Sequence, residues 1–259
     1  MQTAESFHSI VLRLVLTFLM LGTGMSGVAQ TAADDDKPIT NEYRTTLIVT
    51  KPINKKLILF GYYGFAKLPH KDTNSVFFSP PNIVYAVKPW MELWLAAVFT
   101  VSKIKNSSDS WEFRPVAGIK FYVPTKTKLD ISVLTRYEDK LVTKDGDTTS
   151  TPRFRTRPAI GIPFAKGDRA WKPKTFYMIQ DIEPIWRLDT HNLALIRWRT
   201  IGGYVIKQGL NMEFMYHMEF SGDRGQPKNY TGNIWRLGFR WNPWTKSAVR
   251  PKMEAIDGD

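Results

Sequence analysis

The sequence predicts an all-β protein: an antiparallel up-and-down transmembrane β-barrel of about 10 or 12 strands that follows a cleaved signal peptide. Three observations carry this prediction. Apolar and polar residues alternate with a period of two along segment after segment, charges fall on one face of these segments, and Trp and Tyr recur near the segment ends. The chain has 259 residues, a formal net charge of +12 and no cysteine. The absence of cysteine excludes a disulfide framework, a Cys-ligated metal site and a thiol nucleophile.

The N-terminus has the pattern of an export signal. An apolar run of 12 residues, 14–25, follows Arg13. The run is too short to span a bilayer, for which about 20 residues are needed, and it is typical of a signal peptide that is cleaved after Ala29. A buried N-terminal helix is the alternative. We therefore divide the chain into a signal peptide (1–29), a flexible leader (30–41), an outer-membrane barrel (42–244) and a polar C-terminal tail (245–259).

Eleven segments alternate in the manner of strands. Because bacterial outer-membrane barrels have even strand numbers, we expect the true number to be about 10 or 12. Longer polar loops are predicted at 67–81, 103–110, 142–152 and 221–229. The predicted strands lie at 43–50, 56–66, 82–87, 90–102, 111–123, 129–137, 153–164, 174–188, 192–206, 210–220 and 234–241.

The apolar faces of these segments favour contact with lipid. An Arg or Lys that faces lipid costs about 2–4 kcal/mol at mid-membrane, and the apolar faces of 111–123 and 210–220 carry no charge. Aromatic residues near strand ends predict girdles at the bilayer interfaces. A soluble periplasmic binding barrel, with its apolar face inside, is the alternative. The predicted girdle residues are Trp90, Trp111, Tyr122, Tyr137, Trp171, Tyr177, Trp186, Tyr230, Trp241 and Trp244.

The polar faces predict a charge network inside the barrel. Its members are Glu112, Arg114, Arg136, Glu138, Arg153, Arg155, Arg157, Asp181, Glu183, Arg197, Arg199, Glu213, His217, Glu219, Arg236 and Arg240.

Charge pairing also predicts the register of three hairpins, because residues directly opposite each other interact most strongly. Arg153, Arg236 and Arg240 have no partner in this scheme, and they face an anionic solute, loops or water. A fully paired network would plug a narrow barrel. The predicted opposite pairs are Arg114 with Glu138, Glu112 with Lys140, Arg155 with Glu183, Arg157 with Asp181, Arg197 with Glu219, and Arg199 with His217.

The function predicted from these patterns is that of a structural barrel or a narrow solute channel, with no cofactor, no metal and no catalytic residue. Nucleic acid is not expected as a partner, because the Arg side chains of 153–157 share one strand face. Outer-membrane lipid and lipopolysaccharide are expected as partners. The basic turns 55–56 and 166–174 either contact their phosphates or are ordinary solvated turns. The alternative from another class is a lipid-modifying enzyme, deacylase- or phospholipase-like, that uses His217 with Glu213 and Glu219, or with Ser221.

Several short motifs follow one another in a defined order. They are 111–118 (WEFRPVAG), 134–139 (LTRYED), 153–157 (RFRTR), 182–184 (IEP), and a hairpin from Gly203-Tyr204 to 210–213 (LNME). This order resembles the bacterial outer-membrane family known as domain of unknown function family 2490, over roughly residues 42–244. The resemblance implies a barrel of about ten to twelve strands and no activity.

The C-terminus departs from a common feature of outer-membrane barrels. Many such barrels end on an aromatic residue that the barrel-assembly machinery reads. Here the last strand ends near Trp244, and the polar tail 245–259 follows it. We expect the assembly machinery as a partner, and either Trp244 serves from within the chain or the tail removes this signal.

Overall fold

The computed structural model describes residues 39–165, 171–222 and 228–243. The predicted signal peptide, nearly all of the leader, Trp244 and the C-terminal tail lie outside these ranges. Of the helices within the described ranges, none is long and apolar enough to cross a membrane.

The described residues are built almost entirely from strands, with a single 3-10 turn at Pro69–Lys71. This is the outcome that the alternation of apolar and polar residues predicts. The strands are β1 (Thr40–Pro52), β2 (Leu57–Leu68), β3 (Thr73–Phe78), β4 (Asn82–Lys88), β5 (Met91–Ile104), β6 (Ser110–Val123), β7 (Asp130–Lys144), β8 (Asp147–Pro163), β9 (Thr175–Arg187), β10 (Asn192–Lys207), β11 (Leu210–Ser221) and β12 (Asn229–Trp241).

These strands form one closed barrel with eleven strand positions. The strands β3 and β4 are successive pieces of a single position, since both pair with β2 on one side and with β5 on the other. Every neighbouring pair is antiparallel except one: β1 pairs with β12 in parallel and closes the barrel. The expectation of 10 or 12 strands, all antiparallel, is therefore wrong. With an odd number of alternating strands the first and last run in the same direction, so the closing pair has to be parallel.

The break between β3 and β4 lies at residues 79–81, where two prolines supply no backbone N–H. Neighbouring side chains take over the lost ladder bonds. The hydroxyl of Ser79 accepts the N–H of Tyr62 at 2.8 Å, and the amide oxygen of Asn82 accepts the N–H of Ala97 at 2.8 Å. The loop predicted at 67–81 is thus wrong for its second half, which is strand β3.

Most connections between the strands are short, and the longest, residues 164–174, joins β8 to β9. The loop predicted at 142–152 is in fact a long hairpin of β7 and β8, joined by the two-residue turn Asp145-Gly146, in which both residues have positive φ. A turn of this kind fits the twist of paired strands.

We call the end at which β1 begins the amino end and the end at which β12 ends the carboxyl end. They lie at opposite ends of the barrel because the two strands run parallel.

The two faces of the barrel wall differ in chemistry. Outward side chains are largely apolar and exposed, such as Trp111 (60 %) and Phe214 (53 %), whereas inward ones are buried. The predicted girdle residues Trp90, Tyr137 and Trp241 face outward and are exposed. The girdle prediction is wrong for Tyr122, which faces the lumen and bonds to Glu92. It is also wrong for Trp171 and Tyr177, which are buried and pack against each other with ring centroids 5.1 Å apart.

The interior of the barrel, the lumen, has an apolar part and a charged part. Buried apolar side chains from β1 to β5 pack together, among them Tyr62, Phe77 and Trp94. The inward faces of β6 to β12 carry most of the buried charges. The predicted network residues all lie on inward faces, where they are buried or half-buried.

Candidate functional site: the charged lumen

The carboxylate of Glu138 forms ion pairs with three guanidinium groups. It is 1 % exposed, and its oxygens lie 2.9 Å from Arg155 Nη1, 2.6 Å from Arg153 Nη2 and 3.8 Å from Arg136 Nε. Arg153 therefore has a partner, contrary to the scheme that left it unpaired. A buried carboxylate in such surroundings is held in its charged form by direct ion pairs.

The carboxylate of Glu183 joins the same network from the next strand. It has no exposed surface and bonds to Arg155, and its other oxygen lies 3.2 Å from Arg136 Nη2. Arg197 reaches it at 4.0 Å and also binds Glu219 at 2.7 Å. Arg155 and Arg136 therefore bridge the two central carboxylates, so these ion pairs form one connected network.

Two further pairs lie closer to the carboxyl end. Arg199 Nε lies 2.6 Å from Asp181 Oδ1. Arg240 Nε lies 2.8 Å from Glu213 Oε1, which also accepts the hydroxyl of Tyr177 at 2.7 Å. Arg240 was expected to lack a partner, and the structure corrects this.

The predicted register of the β6–β7 hairpin is wrong by two residues. Val116, instead of Arg114, lies opposite Glu138. Glu112 nevertheless binds Lys140 at 3.0 Å diagonally across the strands, and it also bonds to Arg114 two residues along its own strand. Long side chains meet at diagonal positions as well as at opposite ones, so charge pairing alone does not fix the register.

The β8–β9 hairpin is displaced by two residues in the same way. Ile185, instead of Glu183, lies opposite Arg155, and Ala159 lies opposite Asp181. The ion pair between Arg155 and Glu183 forms diagonally. In the β10–β11 hairpin the predicted register is confirmed, with Arg197 opposite Glu219 and Arg199 opposite His217.

His217 is fully buried, and its Nε2 contacts the sulfur of Met215. It lies opposite Arg199 of β10 on one side and opposite Ile234 of β12 on the other. The carboxylates that the enzyme alternative required bond elsewhere: Glu213 with Arg240 and Tyr177, and Glu219 with Arg197.

Ser221, the serine of the same alternative, donates its hydroxyl to Thr231 at 3.1 Å. Within the described ranges there is no group of three or more His, Cys, Asp or Glu that could hold a metal ion.

Several lumen residues were missed by the sequence reasoning. Lys120 is 1 % exposed, and its ammonium lies 4.8 Å from the centre of the Tyr122 ring and 5.9 Å from that of Trp94. Tyr122 donates its hydroxyl to Glu92 at 3.0 Å. The alternation of segment 111–123 places Lys120 on the polar face, although the predicted charge network does not include it.

A second missed residue, Trp171, lies in the connection between β8 and β9 at the carboxyl end. It is 5 % exposed and its indole N–H donates to the carbonyl of Lys128 at 2.9 Å. Its φ of 61° lies in the left-handed region, which is rare for a bulky residue and costs free energy. Packing on Tyr177 and the hydrogen bond to the β6–β7 connection hold it there.

The lumen is filled by its own side chains. Arg155, Glu183, Arg199, His217 and Val98 each have no exposed surface. A small cavity of about 20 Å³ lies near the carboxyl end, and its polar lining comprises Lys120, Ser132, Arg157, Asp181 and Arg240. The described side chains thus fill the lumen at the level of the central ion pairs, and the cavity has room for a very small polar or charged species.

Comparison with known proteins adds no relative: no family model, no curated protein and no solved structure matches the chain.

Proposed function

We propose that this protein is an exported outer-membrane β-barrel of the closed, structural kind, whose outer wall contacts lipid and lipopolysaccharide. The observation that carries the proposal is the direction of the alternation, with apolar side chains outside and the ion-paired charges inside. A soluble protein that exposed so much contiguous apolar surface would aggregate, whereas lipid is the solvent that such a surface suits. Membership of domain of unknown function family 2490 is part of this proposal and rests on the ordered strand motifs.

Outward lysines support the proposal by their position. The outward faces of β6 and β11 carry no charge. Outward lysines such as Lys51, Lys67 and Lys103 each lie one residue from the end of their strand. At that depth a lysine side chain reaches the headgroup region, and its cost is small.

The repair of the proline break supports the same environment. In hydrocarbon, no water is present to bond a backbone group that lost its ladder partner, and each such group costs several kcal/mol. Ser79 and Asn82 satisfy the freed groups from within the protein, as described above. Internal pairing of these groups is therefore what a wall in contact with lipid requires.

The filled lumen favours a closed barrel over an open channel. Conduction would require the ion pairs around Glu138 and Glu183 to separate, which would leave buried charges without a partner. The scale of that cost is given by the loss of one partner from a buried pair, about 3–5 kcal/mol. We therefore expect the purified protein in planar bilayers to show no steady conductance. The proposal assigns no catalytic step to the chain.

The decisive experiment places a charge on the outer wall. Phe214 is 53 % exposed and lies opposite Gly202 and Leu237, well inside its strand. In a membrane, Phe214→Arg should lower the free energy of unfolding by about 2–4 kcal/mol, whereas in water a surface substitution stays within about 0.5 kcal/mol. Trp111→Arg, at the second residue of β6, is the matched rim control and should cost about 0–1 kcal/mol.

Unfolding would be followed by urea titration of the protein in lipid vesicles. Equal, small effects of the two substitutions would contradict lipid contact at Phe214. Fractionation provides the companion measurement: we expect the protein with outer-membrane markers and resistant to carbonate, and recovery in the carbonate-soluble fraction would overturn the proposal.

A further inference from the structure

The two ends of the barrel differ in the sign of their exposed charges. Exposed lysines lie in or directly beside all five connections at the carboxyl end, and among the described residues of this end no Asp or Glu is exposed. The acidic side chains closest to this end, Glu92, Asp130 and Glu213, are buried. We call the exposed lysines of this end the lysine ring, which comprises Lys51, Lys55, Lys56, Lys88, Lys126, Lys128, Lys172, Lys174 and Lys207.

The amino end exposes charges of both signs in similar numbers. Lys105, for example, pairs there with Asp72 at 3.0 Å. Interspersed opposite charges largely cancel at a distance, whereas charges of one sign add up to a positive potential. The exposed charges of the amino end are Lys67, Lys71, Lys103 and Lys105 against Asp72, Asp109, Asp145, Asp147 and Asp189.

Backbone hydrogen bonds between neighbouring segments fix the positions of the lysine ring. The carbonyl of Lys56 accepts the N–H of Ala86 at 2.7 Å, and the N–H of Lys174 donates to the carbonyl of Val205 at 2.7 Å. The side chains of both lysines remain exposed. Because the backbone is already ordered, binding of a ligand to the ring has to order only the lysine side chains.

Aromatic side chains indicate the depth of the lysine ring in a bilayer. Trp90, two residues after Lys88, is 46 % exposed. Trp241 is 44 % exposed and lies opposite Val49, two residues before Lys51. Since Trp side chains favour the boundary between hydrocarbon and headgroups, lysines beside them reach the level of the lipid phosphates.

We propose that the lysine ring binds the phosphate groups of anionic lipids in the leaflet around the carboxyl end, and that the amino end has no such preference. This binding rests on the proposed function, because only a barrel that spans a bilayer brings the ring to the headgroups. Basic clusters at a membrane surface are attracted to anionic lipid through their summed charge. A leaflet surrounds the barrel and therefore contacts the ring along its whole circumference, whereas a soluble acidic partner would have to cover the mouth of the barrel as well.

The test compares the lipids that surround the two ends of β10. The chain has no cysteine, so Gln208→Cys at the carboxyl end and Thr190→Cys at the amino end each attach one fluorophore at an exposed position. The full mature chain is reconstituted in phosphatidylcholine vesicles with a small fraction of nitroxide-labelled phosphatidylglycerol or nitroxide-labelled phosphatidylcholine, which quench nearby fluorophores. Both leaflets have the same composition, so the direction of insertion does not affect the result.

We expect quenching at Gln208→Cys to show about fivefold local enrichment of phosphatidylglycerol over phosphatidylcholine, the effect of roughly one lysine for each headgroup. At Thr190→Cys the two labelled lipids should quench equally. In about 1 M salt, where the screening length is about 3 Å, the enrichment at Gln208→Cys should largely disappear.

Two triple substitutions of Lys by Gln remove the same charge at opposite ends of the barrel. All of the substituted side chains are exposed. The first triple variant lacks the ring lysines around the Gln208 turn and should lose most of the enrichment there, and the second is the matched control and should keep it. The first comprises Lys172→Gln, Lys174→Gln and Lys207→Gln, and the second comprises Lys67→Gln, Lys71→Gln and Lys105→Gln.

Equal quenching by the two lipids at Gln208→Cys would overturn the proposal, and so would equal enrichment at the two ends or full enrichment in the first triple variant. Carbonate extraction and Phe214→Arg test insertion into the bilayer independently. A protein that meets both of those expectations and shows no enrichment contradicts only the selectivity of the lysine ring, whereas a protein that fails them contradicts the proposed function and the lipid binding together.

Discussion

At the residue scale, glycines on the inner wall make room for aromatic rings. A Cβ added to Gly203 would overlap the ring of Tyr177, whose hydroxyl is held by Glu213 at 2.7 Å. The adjacent Gly202 faces outward, and a Cβ there would meet nothing within 4 Å. The same fold therefore places very different demands on two neighbouring glycines.

We expect Gly203→Ala to lower the free energy of unfolding by about 1–3 kcal/mol, because the methyl group overpacks the lumen against a ring that cannot move aside. Gly202→Ala is the matched control and should leave stability nearly unchanged. Urea titration measures both. A Gly203→Ala protein as stable as Gly202→Ala would show that Tyr177 does not occupy this position.

Glu183 is the residue whose loss should disturb the lumen most. Its carboxylate has no exposed surface and forms ion pairs with Arg155, Arg136 and Arg197. Glu183→Gln keeps the shape and leaves those guanidinium groups with one anion fewer, so we expect a loss of about 3–5 kcal/mol in the free energy of unfolding.

The control for Glu183 is an acidic residue of the surface. Asp189 pairs with Arg187 in the connection between β9 and β10, where solvent screens the interaction. Asp189→Asn should therefore unfold at the wild-type urea concentration. Comparable losses from the two substitutions would contradict the central place of Glu183 in the network.

At the element scale, Asn82 holds the wall together where the prolines interrupt it. Its side chain accepts the N–H of Ala97 at 2.8 Å and donates to the carbonyl of Phe60 at 3.3 Å. Asn82→Ala leaves both backbone groups unpaired inside the wall and should cost about 1–3 kcal/mol for each group. Asn74→Ala, on the exposed face of β3, is the matched control and should be close to neutral. If both unfold alike, the break is stabilised by something other than Asn82.

The elements also show what the sequence could and could not predict. The alternation of apolar and polar residues was enough to assign the two faces of each strand. A shift of the pairing by one residue would move every apolar side chain of a strand to the opposite face. It could not fix registers, since Arg155 reaches Glu183 diagonally as readily as it would directly. Strand β3 escaped notice because its inward residues Thr73 and Ser75 are polar and two prolines follow it.

At the scale of the whole molecule, the eleven segments counted in the sequence correspond to the eleven strand positions of the barrel. The rule that bacterial outer-membrane barrels have an even number of strands favoured about 10 or 12 strands over the eleven that were counted. The parallel pairing of β1 with β12, from Thr40 opposite Gly232 to Val49 opposite Trp241, closes an odd barrel. Nothing local in the sequence of β1 announces a parallel partner some 190 residues away, so closure had to come from the structure.

The odd number of strands has a consequence for topology that an even barrel does not share. The first strand begins at the amino end and the last strand ends at the carboxyl end, so in a membrane-spanning barrel Ile39 and Pro243 lie on opposite sides. The chain has no cysteine, so Ile39→Cys and Pro243→Cys each introduce a single reactive thiol at an exposed position. A membrane-impermeant maleimide applied to intact cells should label only one of these two variants.

Permeabilised cells are the control for the labelling, and both variants should react there to the same extent. In a barrel with an even number of strands, the start of the first strand and the end of the last strand lie on the same side of the membrane. The two thiols would then be either both labelled or both protected in intact cells. That outcome would contradict the parallel seam of a membrane-spanning barrel, whereas labelling of a single variant is expected if each of the eleven strand positions crosses the membrane once.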